Sequence, residues 1–95
     1  MVEKSRKNMF RNATSFNQSL GNWDISHVFS MKNMLKGVIL SSDNYDDILK
    51  KWSKLPLRKN VEFHAGKSKY SPSEKIDRDR LINKFLWTIH DGGEV

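Results

Sequence analysis

The run MFRNATSFNQSLGNWDISHVFSMKNML, Met9 to Leu35, decides the fold, because it holds a unit that begins again before the run ends. Met9-Phe10 recurs as Met34-Leu35, 25 residues on. Each pair leads into a small residue or a turn, Arg11-Asn12-Ala13 first and Lys36-Gly37-Val38 second. One full unit therefore runs from Met9 to Asn33. Within it Leu20, Trp23 and Ile25 stand at the L-x-x-L-x-L spacing of a leucine-rich repeat, with Trp23 and Ile25 pointing into the core from a short strand. After that strand Val28, Met31, Met34 and Leu35 recur at three and four, which predicts a short helix capped by Ser30 and closed by Gly37 in a left-handed conformation. The methionines read as core packing, since nothing pairs them with a metal partner.

Outward from the repeat, local chemistry predicts further elements. Asp43 or Ser42 can cap a helix whose apolar positions Tyr45, Ile48, Leu49 and Trp52 share one face, with Pro56 beyond its end. Asn60 to His64 alternates apolar with polar residues and is closed by Ala65-Gly66, as a half-buried strand is. Ser71-Pro72-Ser73-Glu74 is a capping box with proline at the first helical position, so a helix is expected from there to about Phe85. Trp87-Thr88-Ile89, before Asp91-Gly92-Gly93, reads as the last strand. The expected fold class is α/β, a short mainly parallel sheet with flanking helices. Its strands lie near Trp23 to Val28, Val61 to His64 and Trp87 to His90.

Ninety-five residues allow one small domain. Three Trp, five Phe and two Tyr can fill its core without disulfides, and the longest apolar run, Val38-Ile39-Leu40, is far too short to span a bilayer. With no cysteine, thiol catalysis and Cys-ligated zinc are excluded. The basic start, Met1 to Lys7, is followed by no apolar stretch, so no signal peptide is expected within this chain.

The net charge of +6 is uneven. Lys50, Lys51, Lys54, Arg58 and Lys59 fall in one stretch with no acid, and Lys4, Arg6, Lys7 and Arg11 cluster at the start. Either group could attract phosphates or acidic partners, although a charge run is more often a solvated helix face. Catalytic constellations are thin. His27, His64 and His90 lack metal-binding spacing, and Asp43, Asp46 and Asp47 lack the central Gly and distal Glu of a calcium loop. No GxSxG, P-loop or GxGxxG occurs. No catalytic residue, metal site or cofactor is therefore assigned, and any ligand-binding residue stays unknown.

Ala13, Phe16-Asn17-Gln18, Leu20, Trp23-Asp24, Ser26, Val28, Met31 and Met34 together resemble the repeat of the BspA-like bacterial surface proteins, a leucine-rich-repeat variant. The stretch Gly37 to Gly93 is similar to the segment that ends those arrays, through Asn44-Tyr45-Asp46, Trp52, Ser68-Lys69-Tyr70-Ser71, Trp87-Thr88-Ile89 and Asp91-Gly92-Gly93. Departures include Leu35 for Phe, His27 for Asn, Phe29 for Thr and Leu86 for Gly. The resemblance divides the chain into 1–8, a poorly matching segment, 9–35, a repeat, and 36–95, the cap of the array. It implies the C-terminal end of a leucine-rich-repeat-like solenoid and a non-enzymatic role in adhesion or protein–protein interaction. It also implies a surface or secreted full-length protein whose partner is a protein or extracellular macromolecule. The alternative is a small basic nucleic-acid-binding domain using Lys50 to Lys59, which lacks interleaved exposed aromatics.

Because Glu3 falls where an apolar residue is expected, Met1 to Asn8 does not reproduce a preceding unit. Met9, Phe10, Phe16 and Leu20 are then expected to be partly uncovered, beside a strand edge at Trp23 to Val28 with no upstream partner. Loosening or self-association through that edge follows.

Overall fold

A computed structural model describes residues 4–95. It is a small mixed α/β fold with two helices and short parallel strand pairs. In chain order the elements are β1 (Lys4–Ser5), β2 (Val28–Ser30), α1 (Ser42–Trp52), β3 (Glu62–His64), β4 (Lys69–Tyr70), a 3₁₀ turn (Pro72–Glu74), α2 (Lys75–Asn83), β5 (Thr88–His90) and β6 (Gly93–Glu94). β1 pairs with β2, β3 with β5 and β4 with β6, all in parallel; α2 lies in the crossovers of the last two pairs, while turns alone connect β1 to β2. A parallel bridge between Met31 and Phe63 links the end of β2 to β3.

The repeat is visible in the backbone. Asn8 and Asn33 are both left-handed (φ 60° and 57°), and so are Asn12 and Gly37 (φ 62° and 86°), each pair 25 residues apart. Successive amides of the first stretch donate to the second: Arg6 to the Ser30 carbonyl, Asn8 to Lys32, Phe10 to Met34 and Asn12 to Lys36, at 2.7 to 3.0 Å. At the corresponding turn of the next stretch Gly66 has φ +65°, and a Cβ there would collide with the carbonyl oxygens of Val38 and Leu35, so only glycine fits.

Three expectations are corrected here. The strand after the repeat loop lies at Val28–Ser30, not Trp23 to Val28, and Trp23 sits half-buried in the preceding turns. Val28, Met31, Met34 and Leu35 are all buried as expected, but on a strand and tight turns rather than a helix. Repeating left-handed residues interrupt the chain, so a spacing of three and four is produced by turns. The edge of β2 does have a partner: Lys4–Ser5 pairs with it, because parallel pairing uses main-chain N–H and C=O groups, which charged residues carry like any other. Glu3 lies outside the described residues. Leu20 is buried, Phe10 and Phe16 are half-buried and Met9 remains 47% exposed.

Helix α1 buries the expected Tyr45, Ile48, Leu49 and Trp52. Its cap is Ser41 rather than Ser42 or Asp43, with the Ser41 hydroxyl accepting the Asn44 amide at 3.3 Å. Trp52, Phe63 and Trp87 meet edge to face with ring centroids 5.2 to 6.5 Å apart, which joins α1, β3 and the approach to β5 in one aromatic cluster. Both buried indoles are satisfied: Trp52 Nε1 donates to the Leu20 carbonyl at 3.0 Å and Trp87 Nε1 to the Arg58 carbonyl at 2.8 Å.

The second helix begins differently from the capping-box expectation. Pro72 opens a 3₁₀ turn, the Ser71 side chain caps nothing, and α2 ends at Asn83 rather than Phe85. Glu74 turns inward instead, 3.5 Å from Lys50 Nζ. Burial, then the neighbouring Asp77, pushes the Glu74 carboxyl above its ordinary range. Leu86, in the place where glycine is usual, adopts the left-handed conformation all the same (φ 59°).

Candidate functional site

The repeat motif is spent on holding the fold. Asn17 Oδ1 accepts from the Ser41 amide at 2.8 Å and from Asn44 Nδ2 at 2.9 Å. Ser19 donates to Asp47 at 2.6 Å, and Asn22 accepts from Lys51 at 3.1 Å. The polar residues of Phe16 to Asn22 thus bind the outer side of α1, while Leu20 fills the core. Asp24 Oδ1 accepts both the amide and the hydroxyl of Ser26, at 3.0 and 2.6 Å, and so shapes the turn that leads into β2.

The basic run Lys50 to Lys59 does not form one uninterrupted cationic face. Lys50 meets Glu74 at 3.5 Å and Lys51 meets Asp47 at 3.2 Å. Trp52, Ser53 and Leu57 are buried between them, and Lys54 and Lys59 are exposed on either side of Pro56. In the N-terminal cluster the Arg6 guanidinium lies 5.7 Å from the Trp23 ring, whereas Lys7 and Arg11 point outward.

Of the three histidines, His27 is exposed and alone in its loop. His64 and His90 are brought together, since they are register partners on β3 and β5 with ring centroids 5.4 Å apart. His64 Nδ1 accepts the Gly66 amide at 3.0 Å, and His90 Nε2 lies 3.6 Å from Glu62. Desolvation, then the charges of His90 and Lys36, hold the His64 imidazole below its ordinary pKa. The 26-residue separation of the two histidines gave no sequence signal for this pair. Among the described residues no group of three His, Cys, Asp or Glu side chains is placed to hold a metal ion. Asp46 accepts the Ser71 amide at 2.8 Å and Asp47 serves Ser19 and Lys51, so both tie α1 to its surroundings.

The most enclosed polar cluster was also missed from sequence. Asp91 accepts from Tyr45 Oη at 2.6 Å, from Arg78 Nε and Nη2 at 2.8 and 3.1 Å, and from the Gly93 amide at 3.0 Å. Burial and the Asp91 charge push the Tyr45 hydroxyl far above its ordinary pKa. With both carboxylate oxygens of Asp91 engaged within the protein, the cluster acts as a latch between α1, α2 and the C-terminal turn.

On the turn side of the molecule a cavity of about 400 Å³ opens beside Asn12, Lys36, Gly37, Val38, Ile39 and Lys67. Ile39 is 64% exposed at its edge. Among the described residues no helix is long and apolar enough to cross a membrane.

No curated protein and no solved structure matches the chain. A family described as Mycoplasma protein of unknown function, DUF285, matches residues 2–70, a span that takes in β1, the repeat, α1, β3 and β4. With most of its length covered by that match, the chain belongs to the DUF285 family.

Proposed function

We propose that this chain is a non-enzymatic repeat-and-cap module, the C-terminal end of a leucine-rich-repeat-like stack in a bacterial surface or secreted protein. Its work is adhesion or protein–protein interaction. The observation that carries this reading is the 25-residue recurrence of backbone conformation, Asn8 with Asn33 and Asn12 with Gly37, joined by parallel hydrogen bonds. A unit that repeats in conformation and bonds to its successor in one direction is the element from which stacked arrays grow. The motif residues support a scaffold role, because Asn17, Ser19, Asp24 and Ser26 are all consumed in internal hydrogen bonds. The nucleic-acid alternative is weakened by the pairing of Lys50 and Lys51 with acids.

Antibody raised against this chain, applied to intact cells of the source bacterium, tests the reading. Labelling before permeabilisation, lost after brief external protease treatment, is the expected result. Labelling only after permeabilisation would overturn the surface role.

A further inference from the structure

Three stretches that lie far apart in sequence are stacked against one another at the turns: residues 5–12, 30–37 and 63–70. The Asn8 and Asn12 amides bond the Lys32 and Lys36 carbonyls, the Leu35 amide bonds the His64 carbonyl, and the Lys67 amide bonds the Val38 carbonyl. None of the three stretches contains an Asp or Glu, yet they carry Lys7, Arg11, Lys32, Lys36 and Lys67, all exposed. Arg11 and Lys36 occupy equivalent places 25 residues apart, and Lys67 follows Gly66, the left-handed counterpart of Gly37. Cations therefore recur between the first two layers, Lys7 with Lys32 and Arg11 with Lys36, and Lys67, in the place equivalent to Val38, adds another from the third. This density of one sign is the opposite of the Lys50 to Lys59 run, where Glu74 and Asp47 intervene.

We propose that this turn face binds a linear phosphate polymer laid across the layers, with its phosphates held by the exposed Lys36 and Lys67 at the rim of the cavity. Closely stacked cations without interleaved acids favour a ligand that carries charge at every step along its length and releases counterions as it binds. The cavity wall is largely apolar but small, with Val38 and Ile39 as its apolar side chains, too little for the hydrophobic centre of a protein interface. No aromatic side chain lines the cavity, so nothing there offers a stacking platform for nucleic-acid bases. The ligand is read through its phosphates alone.

Isothermal titration of the full chain with short-chain inorganic polyphosphate tests the site, with oligo(dT), poly-glutamate and anionic phospholipid vesicles as comparators. Polyphosphate is expected to bind most tightly, and more weakly as salt rises. The triple variant Arg11→Gln/Lys36→Gln/Lys67→Gln should weaken it by about tenfold or more and flatten the salt dependence, while Lys54→Gln/Lys59→Gln/Lys84→Gln, with the same change in net charge, should weaken it less than about threefold. Equal losses in the two triple variants would show a response to net charge only and overturn the site. Tighter binding of oligo(dT), poly-glutamate or vesicles than of polyphosphate would overturn the ligand class. Circular dichroism of both variants should match the parent, since every substituted side chain is exposed.

Discussion

The Tyr45 hydroxyl donates a 2.6 Å hydrogen bond to the carboxylate of Asp91, 46 residues further along the chain, and so fastens helix α1 to the turn after β5. Arg78 holds the same carboxylate from α2 by two bonds, and its guanidinium lies 5.0 Å from the Tyr70 ring. The C-terminal turn is short of apolar contacts, with Val95 68% exposed, so this latch, rather than hydrophobic burial, fixes its position.

Removing either partner is therefore expected to loosen the C-terminal strand pair β4–β6. Tyr45→Phe should cost about 1 to 2 kcal/mol, the loss of one hydrogen bond to a charged group. Asp91→Ala should cost more, about 3 kcal/mol or above, because it leaves Arg78 without its partner in a partly buried setting. Thermal unfolding of both variants checks the order, and equal effects would contradict it.

The same latch sets an alkaline limit. Because the folded pKa of Tyr45 lies above its ordinary value of 10.0, folding favours the neutral phenol. That contribution is full below pH 10 and is lost as pH rises above it, since the unfolded chain then gives up a proton that the folded chain keeps. Chemical denaturation across pH 9 to 12 should show stability falling in the parent and falling less in Tyr45→Phe.

His64 gives the opposite sign. Its folded pKa is depressed, so the unfolded chain binds a proton more readily, and stability should decline as pH falls below the ordinary histidine value of 6.5. His90 and Lys36 add to the cost of charging it, and Glu62 offsets part. NMR titration of the His64 imidazole should place it below the ordinary histidine value, with His90→Gln raising it. An unchanged His64 titration in that variant would show that the rings do not sense each other.

Helix α1 was legible because its amphipathic phase depends only on local spacing. Trp52 is fully buried and Lys51 exposed on the next position, so Trp52→Ala should cost about 3 to 5 kcal/mol and Lys51→Ala little. Equal shifts in melting temperature would place the helix in the wrong phase. The buried set of the repeat was legible for the same reason, but its conformation was not. Val28, Met31, Met34 and Leu35 satisfy a helical spacing that the left-handed Asn33 converts into turns, and asparagine in that role carries no pattern of its own. The partner of β2 was hidden because Lys4 and Ser5 pair through backbone groups, which side-chain chemistry does not reveal. The Tyr45, Asp91 and Arg78 latch and the His64–His90 pair depend on contacts across the fold.

Leu86 offers a direct measure of stored backbone strain. It is left-handed with φ 59° and half-exposed, so its side chain gains little from burial. Leu86→Gly should stabilise the chain by roughly 1 kcal/mol, with Gly66→Ala strongly destabilising as its counterpart, since a Cβ at Gly66 meets two carbonyl oxygens. A loss of stability in Leu86→Gly would mean that the Leu86 side chain makes a contribution larger than its strain.

The claim that this chain is the end of a growing stack is tested most directly by inserting a tandem copy of residues Met9 to Asn33 between Asn8 and Met9. Such an insertion preserves the 25-residue period at both junctions. Hydrogen exchange and thermal unfolding of the extended chain should show one cooperative transition at a higher temperature than the parent. The amides of the unit following the copy, Phe10 and Asn12 among them, should be protected as strongly as those of Tyr45 to Trp52. An inserted copy that exchanges at the rate of an unfolded peptide, with the transition temperature unmoved, would contradict the stack.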